Sequence, residues 1–521
     1  MPVGPSPDPG KINMAEALLE PALSRGQDND LAVICHEAKI TYAALAVATS
    51  RSGNVFRDLG VNVGHRVLMM VRDTPEFLYI YIGLLKIGAV PVALNTRLTS
   101  QDIAYIIDDS GANILILDSC FQDQLHNGLK IAKNIPTIIY TDAETDKAHS
   151  FLTLLAEAKQ ELKIIRLPLD APAIWMYSSG TTGKPKGVVH LLKTVLTSTK
   201  VMGEILGLGI GDRIYSTSKL FFAFSLAHCV FASLRLGATT ILDPRWPDPD
   251  IVASNVQRFK PTTMLSVPTF YRSLLRDGVA SKPAFKNVKY YLTAGEQMPE
   301  SLFNQWVEVT GRPALEAIGA TETCFLFLSN RPEKFKPGTC GVPTPGTEVK
   351  IVDELGKQVS KPGVQGVLWV KMESLASGYW NMEERTKSVF QKDWYCTNDM
   401  FSVDEDGFYQ HQGRADDMLK ISGQWVSPSE IEEQVLHFRE VQEAAVVGIP
   451  NEEGLIRLAL FMVAPEVTGD HKLLETRITE RLINHLSIYK CPRQFYYLNS
   501  MPQTSTGKLK RFALRESIAN K

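Results

Sequence analysis

A loop rich in glycine, serine, threonine and lysine separates two apolar segments of this chain. It spans residues 177–187 and reads YSSGTTGKPKG. Glycines let a backbone approach a ligand and turn N–H groups toward it, while hydroxyl and ammonium groups add donors and positive charge. The apolar run at residues 173–176 predicts a strand before the loop, and residues 188–192 predict the start of a helix after it. A strand, a loop of small residues and a helix together predict a phosphate-binding site.

The loop does not match the Walker A pattern. Counting back from Gly183 and Lys184, the first glycine of that pattern would fall at Ser178, and Pro185 stands where Ser or Thr should hold Mg²⁺. The other interpretation is a flexible linker, but a linker does not need such a density of paired hydroxyls and lysines. We therefore expect a phosphate site of another class.

Strand-like and helical patterns alternate on both sides of the loop, which predicts an α/β fold with doubly wound, parallel sheets. The predicted strands are residues 66–71, 90–94, 114–117, 213–216, 239–242, 263–267 and 288–292. The predicted helices are residues 75–87, 101–109, 251–259 and 269–277. Ligands bind such sheets at the carboxyl ends of the strands. The loops at 178–187, 219–228, 293–296 and 319–325 are therefore expected around one crevice.

The pattern changes after residue 346. Short strands are predicted at residues 348–352, 366–370, 401–403 and 407–410, and they indicate a small β-barrel-like subdomain. Beyond it the periodicity predicts a small α+β domain that ends in a charged tail after the helix at 472–485. The predicted domains are residues 1–414 and residues 415–521.

Composition excludes several classes of function. The 55 basic and 57 acidic residues give a net charge of -2, so no polybasic field for nucleic acid is expected. The seven cysteines are scattered without a CxxC pair, which is typical of reduced thiols in a cytoplasmic protein. The most apolar stretch, residues 78–94, is interrupted by Lys86 and Pro91, so we expect no membrane span.

The loop at residues 177–187 resembles the signature loop of the adenylate-forming enzymes, which include acyl-CoA synthetases, nonribosomal adenylation domains and luciferases. Further motifs extend the resemblance over nearly the whole chain. It implies that ATP, Mg²⁺ and coenzyme A are bound. The residues that it assigns to ATP are Ser178, Ser179, Gly180, Thr181, Thr182, Gly183, Lys184, Gly295, Glu296, Ala317, Ile318, Asp399 and Arg414.

A short acidic motif, Ala320-Thr321-Glu322, follows Gly319. The resemblance implies that Thr321 contacts phosphate and that Glu322 helps to bind Mg²⁺, and both are assigned to catalysis. Mg²⁺ prefers carboxylate and phosphate oxygens, so this assignment is chemically sound. The other interpretation is a helix start with an N-cap.

The segment at residues 394–399 resembles the family segment whose aspartate binds the ribose hydroxyls. Here that residue is Asp399, and Arg414 would add a second contact to ribose or phosphate. Glycine commonly precedes the aspartate in the family. Asn398 stands there in this chain, which is expected to alter the turn but to leave the carboxylate in place. A turn residue at the surface is the other interpretation of Asp399.

Three positions near the C-terminus complete the resemblance. Asp416 matches the family's hinge, Ser422 and Gly423 match the segment that lines the thiol tunnel, and Lys508 matches the catalytic lysine. The lysine cation would draw the carboxylate and the α-phosphate together and offset charge in the transition state. Taken alone, these residues would be a linker aspartate, part of a helix cap and an exposed lysine.

The run at residues 219–228 resembles the benzoate–CoA ligase branch. The resemblance implies a small acyl pocket closed around one ring and lined by Ala223, Phe224, Ala294, Gly319, Phe325 and Leu326. Phe224 stands where Tyr is common, Ser225 and His228 where Gly and Asn are common, and Phe325 where His is common. The loss of polar groups favours benzoate, an apolar-substituted benzoate or a cyclohexane-type acid, and His228 would compensate if it points inward. Plain core packing is the other interpretation.

These observations predict an ATP-dependent aryl-CoA ligase that forms an acyl-AMP and transfers the acyl group to coenzyme A. One alternative is an enzyme that adenylates an aryl or medium-chain acid and loads it onto a carrier protein. A second is a non-catalytic nucleotide-binding homologue, and a luciferase-like oxidation is a remote third. The expected partners are a small aromatic carboxylic acid and coenzyme A, and a homodimer is left open.

Overall fold

The structure is a computed structural model in which the chain divides into two compact units. It describes residues 10–143, 149–179, 184–359, 361–421, 424–450, 456–465, 467, 469, 471–486, 488–503 and 509–519. The first unit is Met1–Val349 with Val370–Tyr395, and the second is Lys350–Trp369 with Cys396–Lys521. The predicted division between residues 414 and 415 falls within the second unit and stays a prediction.

The first unit contains a mixed eight-stranded sheet. Its strands are, in order across the sheet, Gly378–Tyr379, Pro185–Leu191, Pro172–Ser179, Val90–Ala93, Arg66–Met70, Ile114–Leu117, Thr137–Tyr140 and His149–Ser150. The strands from Pro172–Ser179 to His149–Ser150 are mutually parallel. The central strands are buried on both faces, so their sequences are continuous apolar runs.

The signature loop joins two strands of this sheet, so the predicted helix after the loop is wrong. Strand Pro185–Leu191 pairs antiparallel with Pro172–Ser179 on one edge and with Gly378–Tyr379 on the other. The β-branched residues Val188 and Val189 favour an extended backbone, and both are buried in the sheet. The loop is therefore the turn of a β-hairpin, and no helix N-terminus follows it directly.

A nine-stranded sheet forms the rest of the first unit's framework. Its strands are, in order, Val342–Pro343, Leu326–Ser329, Ala314–Gly319, Tyr290–Thr293, Thr263–Ser266, Arg213–Ser216, Thr239–Leu242, Leu31–Cys35 and Ala38–Thr41. The six strands from Ala314–Gly319 to Leu31–Cys35 are parallel, and the four inner ones were predicted as strands of a parallel sheet.

Successive residues of these parallel strands enter two different cores, because side chains alternate between the faces of a sheet. Met264 and Tyr291 pack into one core, together with Trp306. Leu265 and Leu292 pack into the other, which also contains residues of the predicted acyl pocket. The alternation therefore places the pocket on one defined face of the sheet.

The helices of the first unit lie close to their predicted positions where a prediction was made. They are Met14–Leu23, Tyr42–Asp58, Pro75–Lys86, Ser100–Ser110, Gln122–Leu129, Phe151–Glu157, Ala223–Ser225, Ala232–Leu236, Pro249–Phe259, Pro268–Arg276, Pro283–Lys286, Glu300–Thr310 and Glu383–Val389. Within the described residues, no helix combines the length and the apolarity that a bilayer span requires.

The second unit contains β-hairpins and a three-stranded sheet. Residues of Trp394–Val403 pair antiparallel with Tyr409–Arg414, and Leu419–Ile421 pairs with Gln424–Val426. The sheet has the order Glu443–Pro450, Ile456–Val463 and Gln494–Tyr497. The helices are Pro428–Val435, Lys472–His485 and Arg511–Ala519. The predicted α/β class, with a large N-terminal domain and a smaller C-terminal domain, is confirmed.

The segment after residue 485 is not the charged tail that was predicted. It contains the strand Gln494–Tyr497, which pairs in parallel with Ile456–Val463, and then a helix. Phe495 and Tyr497 pack into one core of this unit, while Tyr496 packs into the other. The alternation of these aromatic side chains between two cores stabilises the strand despite the charged residues around it.

Candidate functional site

The strand that leads into the signature loop and the segment after Gly378–Tyr379 are each bonded to the same aspartate. The Tyr177 hydroxyl donates to Asp109 Oδ2 at 2.7 Å, and Trp380 Nε1 donates to the Asp109 carbonyl oxygen at 2.9 Å. Among the described residues, the buried Oγ of Ser178 has no hydrogen-bond partner. Lys184 is exposed. A donor is thus held at the entrance of the loop without a protein acceptor.

Part of the loop cannot be compared with the prediction. Gly180, Thr181, Thr182 and Gly183 lie outside the described residues, as does the side chain of Ser179.

The turn Thr321–Thr323 follows the strand Ala314–Gly319 and carries the predicted magnesium ligand. Glu322 is buried, and its Oε1 accepts a hydrogen bond from the Tyr379 hydroxyl at 2.6 Å. Lys186 Nζ lies 4.5 Å from the centroid of the Tyr379 ring. A cation over an aromatic face is attracted by the ring quadrupole. Tyr379 therefore connects the hairpin of the loop with the acidic turn.

A buried histidine makes a second connection between these segments. His190 places Nε2 2.7 Å from the carbonyl oxygen of Thr321 and Nδ1 3.2 Å from that of Ser374. Burial lowers the pKa of His190. The signature hairpin and the acidic turn are thus held in a fixed relation by side chains as well as by backbone.

The sequence interpretation missed His190 and Tyr379. His190 lies in the segment that was predicted to begin a helix, where its strand position was hidden. Tyr379 is 57 residues from Glu322, so no spacing in the sequence could have joined them. Only the pairing of Pro185–Leu191 with Gly378–Tyr379 brings both residues to the turn.

Glu322 fits a shared magnesium site rather than one built by protein alone. Among the residues that the structure describes, no group of three or more His, Cys, Asp or Glu side chains is arranged to hold a metal. Proteins commonly bind Mg²⁺ through one or two carboxylates together with substrate phosphates. A single buried carboxylate beside the hairpin that is predicted to bind phosphate matches that donor set.

Four more residues assigned to ATP lie at the carboxyl ends of two neighbouring parallel strands. Gly295 and Glu296 follow Tyr290–Thr293, while Ala317 and Ile318 belong to Ala314–Gly319. Gly295 has φ +92°, which only glycine adopts readily. The Glu296 carboxylate accepts hydrogen bonds from the backbone N–H and the hydroxyl of Thr269, at 3.1 and 3.2 Å. Both predicted segments therefore meet at one edge of the nine-stranded sheet.

Aromatic rings form the wall of the predicted acyl pocket. The ring centroid of His228 lies 5.8 Å from that of Phe224 and 5.4 Å from that of Phe325, and the latter pair is edge-to-face. Ala294 and Leu326 are buried in the core against which Phe224 packs. The structure therefore brings the predicted lining residues together with His228.

Two small residues complete this lining. Ala223 is half-buried at the start of the short helix Ala223–Ser225. Gly319 is exposed, and a Cβ atom there would lie 3.0 Å from the carbonyl oxygen of Phe325. A larger residue at position 319 would thus push against the backbone of the pocket wall.

The His228 side chain is buried in a π-helical turn, Leu226–Phe231. Its Nδ1 lies 3.1 Å from the carbonyl oxygen of Phe224, whereas its Nε2 has no partner among the described residues. Burial lowers the pKa of His228 to about 4. Single π-helical turns occur frequently at functional sites.

In the second unit, the predicted ribose-binding carboxylate is held by two basic side chains. Asp399 Oδ1 lies 3.1 Å from Arg414 Nη1 and 3.6 Å from His411 Nε2. Burial raises the pKa of Asp399, but the hydrogen bond from His411 and the charges of His411 and Arg414 reverse this, and the net shift is downward. Arg414 also donates to the Thr397 carbonyl oxygen at 3.2 Å.

Asn398, which stands where the family commonly has glycine, adopts a left-handed backbone conformation of the kind that glycine favours. Its φ is +57°, in the left-handed region that glycine and asparagine tolerate best. The expectation that asparagine alters this turn is therefore not supported by its backbone angle.

The remaining predicted positions near the C-terminus are only partly described. Asp416 lies in the short turn Ala415–Asp417, but its side chain is outside the described residues, as are Ser422, Gly423 and Lys508. The flanks of the segment that carries Lys508 are held together, because Gln503 and Leu509 form an antiparallel bridge.

Arg511 anchors the helix that follows this segment. Its guanidinium donates to both carboxylate oxygens of Glu432, at 2.5 and 3.0 Å, and lies 3.7 Å from Asp417 Oδ2. A bidentate pair of this kind fixes orientation as well as position.

Comparison with known proteins identifies the family. The model of the AMP-binding enzyme family matches residues 21–380, and that of the AMP-binding enzyme C-terminal domain matches residues 430–508. This chain belongs to the AMP-binding enzyme family.

The relatives of this AMP-binding enzyme include ligases of ring acids. It is 41% identical over 512 residues to the 3-hydroxybenzoate–CoA/4-hydroxybenzoate–CoA ligase of Thauera aromatica, with 97% of each chain covered. It is 34% identical over 512 residues to the benzoate–CoA ligase of the same organism, with 98% of this chain and 97% of the relative covered. The solved anthranilate CoA ligase AuaEII in complex with anthranoyl-AMP superposes with a TM-score of 0.91 at 31% identity, over 98% of both chains. The resemblance to the benzoate–CoA ligase branch is confirmed.

Proposed function

We propose that this AMP-binding enzyme is an ATP-dependent aryl-CoA ligase. One hydrogen bond carries the proposal: Thr323 Oγ1 donates to the carbonyl oxygen of Phe325 at 2.8 Å. It joins the turn that bears Glu322 directly to the aromatic wall of the acyl pocket. An activated phosphate and a ring carboxylate would therefore meet at adjoining residues. The full-length similarity to ligases of benzoate and hydroxybenzoates supports the same reaction.

The reaction consists of two displacements. A carboxylate oxygen of the acid attacks the α-phosphorus of ATP, and pyrophosphate leaves to give an aryl-AMP. The coenzyme A thiolate then attacks the carbonyl carbon, and AMP leaves as the thioester forms. The mixed anhydride is needed because a bare carboxylate has no adequate leaving group. The protein acts by positioning and by charge stabilisation.

The first unit supplies residues for the phosphates and the acid. Thr321 and the donors of the signature loop would bind phosphate oxygens, and Glu322 would hold Mg²⁺, with Tyr379 orienting its carboxylate. Bound Mg²⁺ would offset part of the negative charge of the phosphates. Phe224 and Phe325 would enclose the ring, which aromatic walls favour through burial and edge-to-face contact.

The second unit supplies the remaining groups. Asp399 would accept hydrogen bonds from the ribose hydroxyls, and Lys508 would offset charge at the α-phosphate. Asp416 would act as a hinge between the two half-reactions, and the backbone at Ser422 and Gly423 would line the path of the thiol. These roles rest on the resemblance of the motifs.

We further propose that the enzyme works in the cytoplasm, without a nucleic-acid partner. All seven cysteines lie in the described part of the chain, and none of them forms a disulfide there. Reduced thiols are typical of reducing compartments. The homodimer left open by the sequence remains an expectation.

The test is product formation by the full-length enzyme with MgATP, coenzyme A and a panel of acids. The panel holds benzoate, 2-aminobenzoate, 4-hydroxybenzoate, cyclohexanecarboxylate, hexanoate and an amino acid. We expect continuous formation of AMP, pyrophosphate and acyl-CoA from ring acids, and only when coenzyme A is present. Lys508→Ala should lower adenylate formation by about 10²- to 10³-fold, the usual effect of losing one transition-state donor.

Lys510→Ala is the matched control, because it removes the next lysine of the same segment and should change the rate less than about twofold. Pyrophosphate release without acyl-CoA would favour transfer to a carrier protein. Nucleotide binding without pyrophosphate release from any acid would contradict the ligase proposal.

A further inference from the structure

The unpartnered nitrogen of His228 has a defined protonation state. The carbonyl oxygen of Phe224 can only accept a hydrogen bond, and it lies 3.1 Å from His228 Nδ1. Nδ1 therefore carries the proton. In the neutral imidazole, Nε2 then presents a lone pair and acts as an acceptor. Burial lowers the pKa of His228 to about 4, so the neutral form prevails near pH 7.

This acceptor is buried but unused by the described chain. His228 is 1% exposed, and its Nε2 has neither solvent nor a protein donor. A buried polar atom without a partner costs free energy, so a ligand that supplies the partner gains affinity. Ser225 Oγ, in the helical turn before it, is also buried and without a partner among the described residues. Two polar atoms are thus left open on one short segment.

The position of the acceptor indicates what could satisfy it. The His228 ring contacts Phe224 and Phe325, the two aromatic side chains that would enclose the ring of the acid. It belongs to the π-helical turn Leu226–Phe231. A ring substituent of an acid that packs against these two side chains would be a donor close to His228.

We propose that His228 Nε2 accepts a hydrogen bond from a hydroxyl or amino substituent on the aromatic ring of the acid. His228 is then the residue that selects hydroxybenzoates over unsubstituted benzoate. The inference rests on the proposed ligase function and departs from the expectation of an apolar ring. Substituents that only accept hydrogen bonds, such as methoxy or nitro groups, would meet the lone pair and be rejected.

The first experiment uses the wild-type enzyme alone. We would measure kcat/KM for benzoate and for the hydroxy, fluoro and methyl derivatives at ring positions 2, 3 and 4. At one position, the hydroxy acid should exceed its fluoro analogue by about tenfold or more, because an unpaired buried acceptor penalises the analogue that lacks the donor. Fluoro or methyl acids that equal the hydroxy acids at every position would overturn the inference.

The second experiment uses His228→Phe, which keeps a ring beside Phe224 and Phe325 but removes the nitrogens. The preference for the hydroxy acid over its fluoro analogue should fall to about one, while kcat/KM for benzoate changes only a few-fold. His228→Gln restores an acceptor oxygen and should recover part of the preference. An equal loss for all acids in His228→Phe would contradict a specificity role.

Thr263→Val is the matched control. Thr263 also has a buried hydroxyl without a partner among the described residues, but it begins strand Thr263–Ser266, at the end opposite the ligand edge. Valine has nearly the same shape as threonine, and the preference should be unchanged.

A binding measurement separates this inference from the proposed function. Hydroxybenzoate should raise the thermal midpoint of the wild-type enzyme more than the fluoro analogue does, and His228→Phe should abolish the difference. This readout needs no turnover. A difference in midpoint without any pyrophosphate release would support the acceptor role and contradict the ligase proposal. Turnover of ring acids with no difference in midpoint would do the reverse.

Discussion

Asp399 in the second unit and His228 in the first are both titratable residues in predicted binding regions, but their partners differ. Asp399 has 14% of its side chain exposed and is held by His411 and Arg414. His228 is 1% exposed and uses one nitrogen for Phe224, while the other nitrogen has no partner in the described chain. A group with full partners is preorganised in one charge state before a ligand arrives. A group with an open atom is preorganised for a ligand that must supply the missing partner.

The two environments also produce different charge states on the two groups. Burial alone would raise the pKa of Asp399, but the basic neighbours shift it below its usual value, so Asp399 is anionic near neutral pH. Burial lowers the pKa of His228 to about 4, and no charged side chain opposes it, so His228 is neutral. Asp399 is thus suited to accept from several hydroxyls, and His228 to distinguish one donor.

The largest effect is expected from Asp399→Ala. Each charge-assisted hydrogen bond contributes about 1.5–3 kcal/mol, so two bonds lost from ribose correspond to a decrease in kcat/KM for ATP of about 10²- to 10⁴-fold. Glu405→Ala is the control, because Glu405 is exposed near the same hairpin and should leave the constant unchanged. Steady-state kinetics at saturating acid would measure both. A small effect of Asp399→Ala would show that Asp399 serves mainly to pair with His411 and Arg414 and not to bind ATP.

The second effect concerns the pH dependence of stability. The folded pKa of His228 is about 4, against 6.5 for the exposed residue. The unfolded chain therefore binds more protons between these values, and stability rises with pH through that window. For His228, about 2 kcal/mol of unfolding free energy should be lost between pH 7 and pH 5.

Urea titrations of the wild type and of His228→Phe at both pH values would test this. The variant has no titrating group at this site. The unfolding free energy of the wild type, relative to that of the variant, should therefore fall by about that amount between pH 7 and pH 5. Parallel pH profiles would mean that His228 keeps its ordinary pKa in the folded protein, because its Nε2 is solvated or has an acceptor, and the contrast with Asp399 would then fail.

A third, smaller effect is expected from Tyr379→Phe, which removes the donor to Glu322. Glu322 would lose the bond that orients it, and kcat/KM for MgATP should decrease about tenfold. Tyr140→Phe removes a tyrosine hydroxyl near the opposite edge of the same eight-stranded sheet and should have little effect. If the two variants behave alike, the hydrogen bond between Tyr379 and Glu322 does not orient the carboxylate for MgATP.

The fold was predictable where one local signal decided the structure. Three elements have the predicted bounds: strands Ile114–Leu117 and Arg213–Ser216 and helix Lys472–His485. In each of them the local pattern of apolar residues favours one type of secondary structure along the whole element. The segments at 188–192 and 494–497 were mispredicted because their structure depends on strands that pair with them from elsewhere in the chain. Local propensity is a weak guide when tertiary pairing decides.

The site divides in the same way. The signature loop, Glu322 and Asp399 were found from residue types at fixed positions along the chain. The partners of these residues, such as Tyr379 for Glu322 and His411 for Asp399, were not, because those contacts form only after folding. The open Nε2 of His228 could not be predicted either, because the absence of a partner among the described residues is known only from the folded structure.

The smallest effect is expected at Asn398, the residue that precedes Asp399 in its turn. Its φ of +57° is strained for branched residues, so Asn398→Val should destabilise the second unit by about 1 kcal/mol, while Asn398→Gly should be nearly neutral. Differential scanning calorimetry would measure the change, and KM for ATP would report whether Asp399 moved. If valine lowers stability without changing KM, then His411 and Arg414 hold the carboxylate in place by themselves. If KM rises as well, the orientation of Asp399 depends on this backbone angle, and the glycine-like turn is part of the binding site.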